Sequence, residues 1–210
     1  MGFYETRKPK SEREARFMIR MAKMNDIPAM LDIYGPYVLH TTFTFEYTVP
    51  TREAFAARFR TVTAQCPWLV WEEDGAVLGY AYGSLPFERA AYAWCGEVSI
   101  YLAPEARGRG IGRRLYGVLE HILWQQGYRV IYSLITSENT ASLAFHEKLG
   151  YRRCAELDGC GVKFGRWLGV IWMEKRPEFV EIPTCAPVPW LSIVENDRKL
   201  QDILANLSLF

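Results

Sequence analysis

Arg107-Gly108-Arg109-Gly110-Ile111-Gly112, followed by Arg113-Arg114, is the stretch that decides the fold. Before it, Trp94 to Leu102 reads as a strand that stops at Ala103-Pro104. After it, Ile111, Leu115, Val118 and Ile122 form one stripe of an amphipathic helix that ends near Gly127. A strand, an arginine- and glycine-rich turn and a helix make a phosphate cradle. The glycines let backbone N–H groups converge on an anion because no Cβ blocks its approach. The helix start adds unpaired N–H groups and the positive end of its dipole. Two nucleotide motifs fail the comparison. A P-loop needs Gly-Lys-Ser/Thr, and Gly112 is followed by two arginines. A dinucleotide fingerprint needs G-x-G-x-x-G, and Gly108, Gly110 and Gly112 are evenly spaced.

The flanking sequence supplies further elements. Phe17 to Ala22 is a short strand candidate. Asn25 or Asp26 can cap a helix with Ile27, Met30, Leu31 and Tyr34 on one face, and Pro36 should end or kink it. Thr51 can cap a second helix carrying Phe55, Phe59 and Val62, after a loop from Thr41 to Pro50. Trp68 to Glu72 and Ala76 to Tyr82 flank Asp74-Gly75, a hairpin signal. Val130 to Ile135 reads as another strand. Ser137 or Asn139 starts a helix that ends at Gly150, and Arg152 to Leu157 and Trp167 to Glu174 complete a mixed sheet. The pattern is α+β, without internal repeats. It divides into a polar tail over 1–16, a domain over 17–176 and a proline-marked extension over 177–210. In that extension Leu200, Ile203, Leu204 and Leu207 share a helical face that could pack on the domain, bind a partner subunit or fray.

Composition narrows the classes. The 210 residues are 50% hydrophobic and 23% charged, and the formal net charge of +1 gives no electrostatic case for nucleic acid or an anionic membrane. No apolar run reaches the length of a membrane span, and the charged N-terminus is not a secretory signal. Cys66, Cys95, Cys154, Cys160 and Cys185 are odd in number and lack metal-ligand spacing, so reduced thiols in a cytoplasmic protein without a metal are expected.

The turn does fit R/Q-x-x-G-x-G/A, read as Arg107-x-x-Gly110-x-Gly112, the coenzyme A signature of the GNAT N-acetyltransferases. From about Ile19 to Met173 the chain resembles that superfamily, and more narrowly its phosphinothricin/methionine sulfoximine acetyltransferase branch. The resemblance rests on Thr44-Phe45-Glu46, Pro67-Trp68-Leu69-Val70, Gly79-Tyr80-Ala81-Tyr82 and Glu97-Val98-Ser99-Ile100-Tyr101. It continues through Asn139-x-x-Ser142, His146-Glu147-Lys148-Leu149-Gly150-Tyr151 and Lys163-Phe164-Gly165-Arg166-Trp167. It implies a three-layer fold whose mixed sheet splays at the cofactor cleft, with acetyl-coenzyme A as acyl donor. Ile100, Tyr101 and Leu102 would offer backbone groups to the pantetheine arm. The segment from Arg107 through Gly108, Arg109, Gly110, Ile111 and Gly112 to Arg113 would bind the pyrophosphate, and Asn139 and Ser142 would approach from the opposite wall. A homodimer is also implied.

Acetyl transfer to an amine requires deprotonation of the ammonium, polarisation of the thioester and departure of a thiolate. Glu97, early in the cofactor strand, is the expected general base through water. Glu46 would attract the substrate ammonium or share that role. His146 would protonate the thiolate, and a backbone N–H near Ile100 would stabilise the oxyanion. Arg89, in Arg89-Ala90-Ala91-Tyr92, would hold a substrate carboxylate, with Phe45 and Tyr92 in a compact pocket. Phe87 and Cys95-Gly96 depart from the branch pattern, which leaves the acceptor amine open. The expected acceptor is a small amino-acid-like amine. The alternatives are acetylation of a protein N-terminus or lysine, and a noncatalytic acyl-coenzyme A-binding protein.

Overall fold

The computed structural model describes residues 17–178, 182–198 and 200. A seven-stranded sheet forms its centre, in the order β1-β2-β3-β4-β5-β7-β6. These strands are β1 (Phe17–Met21), β2 (Trp68–Glu73), β3 (Ala76–Ser84), β4 (Cys95–Leu102), β5 (Val130–Thr136), β6 (Arg152–Lys163) and β7 (Arg166–Lys175). Only β4 and β5 run parallel, and they pair over no more than Cys95–Glu97 with Val130–Tyr132. The α+β class and the splayed mixed sheet are therefore as expected. Among the described residues the β5-facing edge of β4 has no strand partner beyond Glu97, and the opening positions the site.

The helices are α1 (Ile27–His40), α2 (Arg52–Thr63), α3 (Ile111–Gln126), α4 (Thr140–Lys148) and α5 (Trp190–Asn196). On one face of the sheet, Phe55 and Phe59 of α2 pack on Trp68 with ring centroids 5.7 and 5.2 Å away, and Tyr34 of α1 meets Tyr101 edge-on at 4.7 Å. On the other face, Leu115, Leu119, Ile122 and Leu123 of α3 are fully buried. Burial of this kind contributes roughly 25 cal/mol per Å² of apolar surface.

Local signals behave as their chemistry requires. The Thr51 side chain accepts a bond from the Ala54 N–H, and Asn139 caps α4 by accepting from the Ser142 N–H. Pro36, expected to end or kink the first helix, lies inside it. The helix runs on to His40 because Val38 is fully buried and the Tyr37 hydroxyl is bonded to Leu102, which offsets one lost backbone bond.

The proline-marked extension contains the short helix α5 ahead of the helix expected at its end. Val188 and Gln126 exchange bonds of 2.8 Å, the Trp190 indole donates to the Thr63 carbonyl at 2.8 Å, and His121 lies 2.8 Å from Asp197. Of the expected final helix, Leu200 is buried, while Ile203, Leu204 and Leu207 lie outside the described residues, as does the tail over 1–16. Among the described residues no helix is long and apolar enough to cross a membrane, and all five cysteines are free.

Candidate active site

Two cavities meet at the middle of β4. The first is a narrow slot of about 60 Å³ along the splayed edge, with Ile100, Tyr116, Ser133, Asn139, Ser142 and His146 among its walls. The second, of about 360 Å³, holds Glu46, Arg58, Tyr82, Glu97 and Thr136. Phe43, Ser99, Tyr101 and Leu134 line both. Because successive strand residues point to opposite faces, Glu97, Ser99 and Tyr101 share one face of β4. This places the carboxyl of Glu97 in the larger cavity, beside the junction.

The free edge of β4 is more selective than the sequence suggests. The N–H and C=O of Leu102 are both engaged by the Tyr37 hydroxyl, at 3.3 and 2.8 Å. Those groups therefore face away from β3, and alternation sends the backbone groups of Ile100 and Val98 the same way. Tyr101 turns its backbone to β3, opposite Tyr80, and presents only its ring to the cavities. Of the three expected backbone contributors, Ile100 alone keeps its N–H and C=O on the open edge. Tyr37 occupies Leu102, and strand alternation removes Tyr101.

At the end of β4, Gly108 and Gly110 adopt φ of +73° and +78°, and a Cβ on either would meet nothing. Backbone conformation therefore demands these glycines. Gly112 is needed for contact, since its Cβ would lie 3.3 Å from Ile100 and 3.2 Å from Phe145. The turn leaves the first N–H groups of α3, from Ile111 to Arg113, without a side-chain cap beside the exposed residues 107–110, which suits an anion. The arginines divide their work. The Arg109 guanidinium pairs with Glu73 at 2.7 Å, Arg107 lies over the Tyr37 ring and Arg114 over Phe17 and Trp71. Arg113 is exposed.

Burial pushes the Glu97 carboxyl up from its ordinary pKa. Glu46 differs. Its Oε1 is paired with Arg58, while its Oε2 is buried without a hydrogen-bond partner, as is the Thr136 hydroxyl. His146 is almost wholly buried, and burial lowers its pKa to about 4. Its Nδ1 lies 2.8 Å from the Ser142 carbonyl, which can only accept, so Nδ1 carries the proton. Nε2 then accepts from the Tyr116 hydroxyl at 3.2 Å. A neutral ring bonded in this way has no proton to give to a thiolate. This arrangement does not support His146 as the donor; Tyr116, Ser133 and Ser142 bring hydroxyls to the same slot.

Residues 19–172 match the acetyltransferase (GNAT) domain family. The chain belongs to the GNAT acetyltransferases. It is 37% identical over 162 residues to the phosphinothricin N-acetyltransferase of Alcaligenes faecalis, covering 75% of this chain and 81% of that protein. It is 35% identical to the L-methionine sulfoximine/L-methionine sulfone acetyltransferase of Salmonella typhimurium, over 74% of this chain and 92% of that one. The crystal structure of a phosphinothricin acetyltransferase from Sinorhizobium meliloti in complex with AcCoA superposes with a TM-score of 0.75 at 35% identity, covering 82% and 93% of the two chains.

In this GNAT N-acetyltransferase the expected acceptor residues do not all converge. Phe45 and Glu46 line the large cavity; Arg89 and Tyr92 do not. Arg89 is exposed just before a short turn, and the Tyr92 ring packs at a tilt on Phe87, which in turn stacks on Trp172. Phe87, noted as a departure from the branch, draws Tyr92 onto this outer aromatic cluster. The guanidinium in the cavity is that of Arg58. Sequence reading passed over it because an arginine between Phe55 and Phe59 looks like the solvated edge of an amphipathic helix. Tyr116 and Thr136 were missed for a similar reason: each sits in a segment that packing alone explains.

Proposed function

We propose that the chain transfers an acetyl group from acetyl-coenzyme A to the primary amine of a compact amino-acid-like acceptor, with Glu97 as general base. The observation that carries this reading is the meeting of the two cavities beside a desolvated carboxylate. The donor supplies an acetyl group activated as a thioester. The glycine turn and the start of α3 would hold its pyrophosphate, and the free edge at Ile100 and the wall at Asn139 and Ser142 its arm.

The acceptor enters as an ammonium and must lose a proton before its nitrogen can form a bond to carbon. Glu97, directly or through one water, accepts that proton. The Ile100 N–H faces the open edge and serves the negative charge developing on the acyl oxygen. The departing sulfur is protonated by the Tyr116 hydroxyl once it turns from His146 Nε2 toward the slot, and the tyrosine is reprotonated from solvent. The products are an N-acetyl amine and the free thiol, so no covalent enzyme intermediate is needed. Arg58 and Glu46 form a cation–anion pair beside this centre. An α-amino acid carries the complementary pair, with its carboxylate for Arg58 and ammonium hydrogens for the unpartnered Glu46 Oε2.

Five free thiols support a cytoplasmic enzyme. A homodimer is supported by the exposed apolar side chains of Leu157, Val162, Phe164 and Trp167 on the β6–β7 edge; light scattering distinguishes it from a monomer. The acceptor reading is tested by following thiol release with acetyl-coenzyme A and a panel of amino acids, the matching amines without a carboxylate, and short peptides. Turnover strongest with amino acids such as methionine sulfoximine is expected. Preference for peptides, or indifference to the carboxylate, would overturn it.

A further inference from the structure

The motif Lys163-Phe164-Gly165-Arg166-Trp167 lies at the turn between β6 and β7, away from the slot, and neither chemistry nor core packing accounts for it. Its surroundings connect it to the acceptor loop. Lys163 is 2% exposed, and its ammonium donates to the carbonyl of Thr44 at 2.7 Å. Tyr47, itself exposed, donates to the Val162 carbonyl at 2.7 Å. Arg166 binds Glu138, with one contact of 2.8 Å, and Glu138 accepts from the Thr42 hydroxyl at 3.1 Å. Thr44 and Tyr47 of one loop are thus fastened directly to the hairpin and Thr42 to it through Glu138, while Phe45 and Glu46, between these points, line the cavity.

Gly161 completes the arrangement. A Cβ there would lie 2.2 Å from Cε2 and 2.7 Å from Cδ2 and Cζ of Phe45, so the ring fills the space that any other residue would need. The β6–β7 register shifts between Leu157 and Gly161, which brings the glycine to this position. A buried lysine without a carboxylate bonded to it is costly, and burial lowers the Lys163 pKa while the charge of Glu46 opposes the fall. Its retention beneath the loop indicates a positional requirement.

We propose that Gly161 and Lys163 are positioning residues for acceptor recognition: the β6–β7 turn clamps the 42–47 loop, seats the Phe45 ring and so sets the size of acceptor that reaches Glu97. The proposal rests on the acceptor reading above. It makes the far edge of the sheet a determinant of specificity, although it touches neither donor nor reacting atoms.

The test is steady-state kinetics of Gly161→Ala and Tyr47→Phe with acceptors graded in side-chain size. In Gly161→Ala the displaced ring must move, and the cavity is the open side. The KM for bulky acceptors should rise about tenfold, that for the smallest far less, and that for acetyl-coenzyme A should stay within about twofold. Adding Phe45→Leu to the same chain should restore much of the loss, because a smaller side chain no longer meets the new Cβ. Tyr47→Phe removes one exposed bond without threatening the fold, and should raise acceptor KM two- to threefold, again without touching the donor. Equal effects on donor and acceptor, no dependence on acceptor size, or no rescue would overturn the clamp. A wild-type enzyme that turns over peptides but not amino acids would instead overturn the acceptor reading, and the clamp is then judged on peptides graded at their first residue.

Discussion

The donor and acceptor sides of this site are built on opposite principles. The proposed donor side is nearly continuous in sequence: β4, the glycine turn and the start of α3 follow one another over residues 95–112, and backbone groups would do most of the work. The acceptor side is gathered from Glu46 in a loop, Arg58 on α2, Glu97 on β4 and Thr136 on β5, with the β6–β7 turn beneath. Local backbone geometry specifies the first, and tertiary packing creates the second. The donor side should therefore fail through strain in the main chain, the acceptor side through loss of individual side chains, and each largely without the other.

Glu97→Gln should produce the largest effect. Removing a positioned general base costs about 10²–10⁴ in rate, so kcat should fall by that order while acetyl-coenzyme A affinity, measured by calorimetry, is kept. Arg58→Gln should come next. Losing charge-assisted bonds to a carboxylate raises acceptor KM by roughly ten- to a hundredfold, and the carboxylate-free amine should be affected much less. Arg89→Ala should change either KM by no more than about twofold, and a large effect there would return the carboxylate site to the outer turn. Gly110→Ala should act on the other side alone. Placing an L-residue at φ +78° costs roughly 1–2 kcal/mol, which predicts about a tenfold weaker donor with acceptor KM intact.

How much of this was legible in the sequence follows the same division. Gly108, Gly110 and the stripe Ile111, Leu115, Val118 and Ile122 announce the donor turn because spacing and backbone conformation are local properties. The Asp74-Gly75 hairpin and the Thr51 and Asn139 caps are legible for that reason too. Arg58 was not, since nothing in α2 reports that Glu46 will lie against it. Arg89 and Tyr92 were expected in the pocket through resemblance, and the packing of Phe87 on Trp172 draws Tyr92 outward. His146 lies in the wall of the slot, and its hydrogen bonds favour orienting Tyr116 over giving up a proton. Only the Ser142 carbonyl, four residues back on the helix, reveals which ring nitrogen holds the proton.

His146 also carries the mildest prediction, one of stability. Its pKa is about 4 in the folded chain against 6.5 ordinarily, so between these values the unfolded chain binds more protons. Its contribution is complete above pH 6.5 and is lost as pH falls toward 4, on the order of 3 kcal/mol in all. Urea unfolding across that range should show the loss in the wild type and a flatter dependence in His146→Gln.

The central claim is that a desolvated Glu97 takes the acceptor's proton where the two cavities join. Its most direct test is the pH dependence of kcat, which reports groups in the bound complex, for the wild type and Glu97→Gln with the preferred amino acid. The wild type should show an acidic limb, rising with pH through a group above the ordinary carboxylate range of about 4.3, because burial favours the protonated form. The variant should be slow and lack that limb. The same limb in both proteins would contradict the assignment.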